Sequence, residues 1–183
     1  NKRDTTELFF YCTDSIQNGD LILRKSYGMI SEIISTRLKD TVDISHCGIL
    51  IQDSTGNFNV IHSLSKKVSD YDGMQQCSLQ EFWEDSRPET VRVFRFRNSR
   101  NYLIAQCANN YLVKKIPFDN NFDTNDTTAF YCSELPVHII EKTFRKKIIN
   151  ENSIIKFSTF MNPDNFREIV FKHKKSPSDY TER

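Results

Sequence analysis

Residues 45 to 64 constrain this chain most. "SHCGILIQ" (45 to 52) and "FNVIHSL" (58 to 64) are apolar runs of strand length, separated by "DSTGN". Gly56 supplies the positive φ that a tight loop needs, so the segment predicts a β-hairpin. Each strand carries one histidine, His46 and His62. On adjacent strands these two can fall near each other and point to one face. The other reading is two unrelated histidines on a half-buried sheet.

The flanking segments set a mixed architecture. "NGDLILR" (18 to 24) reads as a turn and a short apolar strand. "SYGMISEIISTRL" (26 to 38) spaces Met29, Ile30, Ile33, Ile34 and Leu38 helically behind a capping Ser. "SLQEFWED" (78 to 85) opens with the S-x-x-E pattern of a capping box. "TVRVFRFR" (90 to 97) is rich in strand formers. "NYLIAQCANNYLVKK" (101 to 115) gathers Leu103, Ile104, Cys107, Ala108, Tyr111 and Leu112 on one helical face. A polar loop follows, then a helix over 132 to 144. Residues 1 to 18 read as an arm or short helix, and "KKSPSDYTER" as a frayed tail. Without repeats, low-complexity stretches or a linker, residues 1–183 predict one α+β domain.

Composition removes several function classes. The chain is 38% hydrophobic and 27% charged, too apolar for disorder. A net charge of +1 creates no global field for nucleic acid or an anionic membrane. The basic runs at 145 to 147 and 172 to 175 lack interleaved aromatics and read as solvated surface. No run of eighteen apolar residues spans a membrane. The first residue is Asn, which fits an exported protein (periplasmic, lipoprotein or secreted) whose leader has been removed. The free thiols fit a reducing cytoplasm better.

Five cysteines stand at 12, 47, 77, 107 and 132, with no paired CxxC spacing for zinc. An odd count predicts mostly free thiols. Cys132 lies at a predicted helix start, where the dipole and unpaired N–H groups favour a thiolate. An imidazole beside it completes a nucleophile–base pair, and a second polar group behind the imidazole fixes its tautomer. The candidate set is Cys132 attacking, His46 taking its proton and His62 orienting His46. The helix-head N–H would hold the oxyanion. Cys47 adjoins His46 but points to the other face of its strand, so it should face away from His46's partner. Cys107 belongs to the apolar helix face. His138 lies inside the last helix, where surface or packing roles fit, and His173 lies among lysines.

The order "GDLILR", "ISHCGILI", "FNVIHS", "IPFDNNF", "FYCSEL" resembles the permuted papain-like NlpC/P60 hydrolases of the YiiX/YaeF type, over about residues 18–145. Lecithin–retinol acyltransferases share the permuted plan, with His before Cys. The resemblance implies a circularly permuted papain-like fold, a small antiparallel sheet or half-barrel packed on helices. It implies Cys132 as nucleophile, His46 as general base and His62 as the third polar residue. Many YiiX-like members carry Glu at that third place, and His62 is closer to the acyltransferase set. Asp20 reads as a structural turn or cap acid. Tyr131 and Glu134 are candidates for positioning or lining the site. Pro136 departs from the pattern: either the first helical turn is distorted, or the helix starts later than Cys132.

The expected activity is that of a cysteine amidase or peptidase acting through a thioester, needing no cofactor and no metal. Expected substrates are peptides, cell-wall peptides or acyl amides, with no nucleic-acid partner. The alternatives are an acyl-amide or lipid hydrolase or acyltransferase of the same fold, or a non-catalytic lipid- or peptide-binding module.

Overall fold

The computed structural model of the chain describes residues 15–27, 31, 38–87, 89–150 and 153–169. Cys12, His173, the basic run at 172 to 175, the tail and most of the arm lie outside these residues. Of the helix expected over 26 to 38, positions 31 and 38 are helical and most of the others lie outside the described residues.

Six strands form one antiparallel sheet: β1 (Leu21–Arg24), β2 (His46–Gln52), β3 (Phe58–Leu64), β4 (Gly73–Ser78), β5 (Arg92–Phe96) and β6 (Phe166–Ile169). Their order is β4-β3-β2-β1-β5-β6. The predicted hairpin is β2–β3, with Leu50 opposite Val60. The fold is therefore a mixed one with an open six-stranded sheet. β4 and β6 carry few apolar residues and gave no strand signal; they exist by pairing with β3 and β5.

Helices cover both faces. Leu23, Cys47, Ile49, Ile61 and Phe94 pack against α2 (Tyr102–Val113) and α3 (Glu134–Phe144). Ile22, Leu50, Val60 and Val93 face the other way, onto Leu79 and Phe82 of α1 (Leu79–Glu84). Each such side chain contributes about 1.5–3 kcal/mol when fully buried. The predicted capping box opens α1: Glu81 N–H donates to Ser78 Oγ at 3.1 Å, and Ser78 N–H to Glu81 Oε2 at 2.7 Å. No helix of the described residues is long and apolar enough to cross a membrane.

Two glycines fix backbone approach. Gly19 has φ +86°, and a Cβ there would lie 1.9 Å from the Asn101 carbonyl oxygen. Gly48 is two residues from His46, on the same face of β2; a Cβ there would meet Val60 Cγ1 at 2.3 Å and the His62 Cβ at 3.3 Å. The glycine of "SHCGI" thus keeps room for the His46–His62 contact.

Candidate active site

Cys132 sits in the turn that precedes α3. The helix begins at Glu134 with Ser133 as N-cap, so of the two readings of Pro136 the later start is the one observed. Pro136 falls in the first turn, where its missing N–H is tolerated. A residue at that position would otherwise donate to the Cys132 carbonyl; the Cys47 thiol lies 3.1 Å from that oxygen instead.

The residues flanking Cys132 hold it in place. The Ile155 N–H donates to the Tyr131 hydroxyl at 2.7 Å, and the Ser133 hydroxyl donates to the Ile155 carbonyl at 2.7 Å. The Tyr131 N–H reaches Glu134 Oε2 at 3.3 Å, closing the turn around the cysteine. Tyr131 is fully buried and packs on Phe122, so it anchors the loop and does not line an open site. Burial, reinforced by Asp119, Asp126 and Asp123, pushes the Glu134 carboxyl up to about 8, despite the Tyr131 N–H. The Ile155 anchor is far away in sequence and carries no motif, so only the tertiary structure reveals it.

The surroundings favour a Cys132 thiolate. A hydrogen bond from the Cys47 side chain lowers its pKa most, and the backbone N–H groups of Ser133, Cys47 and Cys132 add to this against the cost of burial. The Cys47 thiol is itself pushed well above its ordinary value by burial and by its bond to Cys132. Of the two buried thiols, Cys132 is the one whose surroundings favour ionisation and Cys47 the one they hold protonated. Among the described residues Cys47, Cys77, Cys107 and Cys132 are all free thiols.

The histidines lie elsewhere. His46 Nε2 and His62 Nδ1 are 2.8 Å apart, so the hairpin does bring them together on one face. Both rings contact Phe82 of α1, at centroid distances of 5.8 and 5.9 Å. Cys47, the next residue along β2, faces α3 and Cys132. The expected His46–Cys132 pair is therefore not brought together: the two side chains occupy opposite faces of the sheet. Side chains alternate along β2 as expected, but Cys132 packs on the face of Cys47. His62 is hydrogen-bonded to His46, and neither imidazole is in contact with Cys132. His138 packs as expected, its ring 4.3 Å from Phe130 and its Nε2 3.1 Å from the Tyr111 hydroxyl.

Burial, the neighbouring ring and Arg24 drive His46 well below its ordinary pKa; burial and Arg24 bring His62 to about 3. Both are neutral in the folded protein at neutral pH. Their folded pKa values lie below the unfolded value of 6.5, so the stability they contribute is full above pH 6.5. It is lost progressively as pH falls toward about 3, amounting to several kcal/mol at most. Urea unfolding at stepped pH should show this decline. A His62→Gln chain should show a shallower one; parallel curves would contradict the assignment.

No family model matches the chain, and no curated protein matches it in sequence. Among solved structures it is similar to the metalloprotein yiiX from Escherichia coli O157:H7, with a TM-score of 0.70 and 16% identity, over 86% of this chain and 98% of that one. At this identity the likeness is one of fold. Among the described residues no three His, Cys, Asp or Glu side chains are grouped to hold an ion, and the two imidazoles direct nitrogens at each other.

Proposed function

We propose that this yiiX-like chain is a cysteine hydrolase on a permuted papain-like NlpC/P60 framework, cleaving amide bonds of peptides, cell-wall peptides or acyl amides through a thioester on Cys132. One observation carries the reading: Cys132 stands in the turn at the head of α3, with the Cys47 thiol 3.1 Å from its carbonyl oxygen and surroundings that lower its own thiol's pKa. A thiolate formed in this way needs no imidazole for the first step. The Cys132 sulfur attacks the carbonyl carbon, and the C–N bond breaks. The departing amine takes up a proton, for which the Cys47 S–H, 3.1 Å from the Cys132 carbonyl oxygen, is the donor. Water then adds to the thioester carbonyl, the C–S bond breaks, the acid leaves, and the remaining proton restores Cys47.

Thiol-reactive labelling of the intact chain near neutral pH tests this. Cys132 should react at least about tenfold faster than the other cysteines. Cys77, which burial raises to about 11, provides a slow internal reference. Cys47→Ala should slow Cys132 labelling, whereas His46→Ala should leave it unchanged. Uniform slow labelling would overturn the nucleophile. A slowing in His46→Ala equal to that in Cys47→Ala would restore the histidine as base.

A further inference from the structure

Arg95 of β5 and Arg167 of β6 are direct cross-strand partners. Val93 and Ile169, two residues along each strand, belong to the core layer opposite the one that holds Cys132, so the two arginines share that opposite face. Like charges set opposite each other across a ladder are destabilising unless something negative answers them. Asp20 answers only one. It takes Nε and Nη2 of Arg95, and Nη2 also donates to the Ser15 carbonyl. Nη1 is left over. It makes no hydrogen bond among the described residues, and on a side chain only 9% exposed it is not one of the nitrogens sealed from solvent. Arg167 is exposed and makes no ion pair among the described residues.

Both arginines line a cleft of about 610 Å³, within the range of roughly 300–1,000 Å³ for small-molecule sites. Among the described residues no Asp or Glu lines it. Its amides offer donors: the Asn18 and Asn98 oxygens accept the Gln52 and Arg100 N–H groups, which leaves each side-chain NH₂ free. The first turn of α2, which has no side-chain cap, adds its partial positive charge. Tyr102, 50% exposed, and the half-buried Phe58 give the cleft aromatic faces.

We propose that this cleft is a binding site for a nucleoside monophosphate, the phosphate held between Nη1 of Arg95 and the Arg167 guanidinium and the base lying against the Tyr102 ring. A phosphate monoester brings close to two negative charges and three acceptor oxygens to a pair of guanidiniums that lacks one counter-charge. The free amides of Asn18 and Asn98 donate to ribose or base acceptors. Inorganic phosphate fills only a small part of the cleft, and a sugar phosphate leaves its aromatic faces bare. The site lies across the sheet from Cys132 and does not depend on the chemistry there.

Calorimetric titration of the whole chain at fixed ionic strength with adenosine monophosphate, ribose 5-phosphate, adenosine and inorganic phosphate tests the site. Adenosine monophosphate should bind saturably with one site per chain. Ribose 5-phosphate, which lacks the base, should bind at least about fivefold more weakly. Adenosine, which lacks the phosphate, should bind at least about tenfold more weakly. Arg167→Gln, an exposed change that does not threaten folding, should weaken both phosphate esters at least about tenfold. Tyr102→Ala should weaken the nucleotide at least about fivefold and leave ribose 5-phosphate as it was. Cys132→Ala should bind the nucleotide as the unaltered chain does. Absence of saturable binding, inorganic phosphate binding as tightly as the nucleotide, or unchanged nucleotide affinity in the Arg167→Gln or Tyr102→Ala chain would overturn the proposal.

Discussion

A Cys132→Ala chain should lose amide hydrolysis by about 10⁴-fold or more while unfolding at nearly the same denaturant concentration as the unaltered protein. The two halves of that outcome have different causes. Removing the sulfur removes the atom proposed to attack the carbonyl carbon, so no thioester can form. The fold is held around it by other bonds: Tyr131 and Ser133 clasp Ile155, and the Ser63 hydroxyl donates to the Phe130 carbonyl at 2.7 Å. None of these uses the Cys132 side chain. Steady-state hydrolysis of a peptide or acyl-amide panel, read beside urea unfolding, checks both. Activity within tenfold of the unaltered chain would sink the nucleophile. A large loss of stability would mean that the sulfur is chiefly a packing group.

The largest stability effect should come from Arg95→Met. Asp20 is fully buried and takes two bonds of 2.7 Å from Arg95, through Nε and Nη2. It also accepts the Gln17 N–H at 2.8 Å, and Arg95 reaches on to the Ser15 carbonyl at 2.7 Å. Burial raises the Asp20 carboxyl overall, and Arg95, with the Gln17 N–H, offsets only part of that rise. Without the guanidinium an acid is left buried and unpaired, at a cost of about 3–5 kcal/mol. For a chain of this size that lowers Tm by roughly 6–20 °C. Adding Asp20→Leu should recover a large part, because an apolar pair tolerates the site better than half an ion pair. Thermal unfolding by circular dichroism measures the single and double changes. A single change costing under about 1 kcal/mol would mean that water replaces the guanidinium.

The Asp20–Arg95 pair illustrates how far the sequence could be read. "GDLI" marked Asp20 as a turn acid, and it does close a turn with Gln17. Its main partner lies on β5, and nothing in "TVRVFRFR" distinguishes Arg95 from the arginines beside it. Arg92 pairs with Glu168, and Arg97 donates to the Pro163 carbonyl. Local rules carried most of the other elements. The hairpin, the capping box at Ser78, the helix over 102 to 113 and the meeting of His46 with His62 all follow from period, turn chemistry and register, which act within a few residues. The polar strand β4 was not legible, because an edge strand of this kind is made by its partner's hydrogen bonds.

The sequence by itself determined the hairpin that carries His46 and His62, the alternation that turns Cys47 away from His46, and a helix beginning near Cys132. Only the tertiary structure decided on which face that helix lands. β2 is an inner strand, buried on both sides along all but its last residue. A strand buried on both sides has no polar stripe to tell its faces apart. The choice is made where α3, anchored through Ile155 and packed beside α2, fills the side lined by Cys47 and Ile49. Arg24 and the two imidazoles are left to the other side, against Phe82.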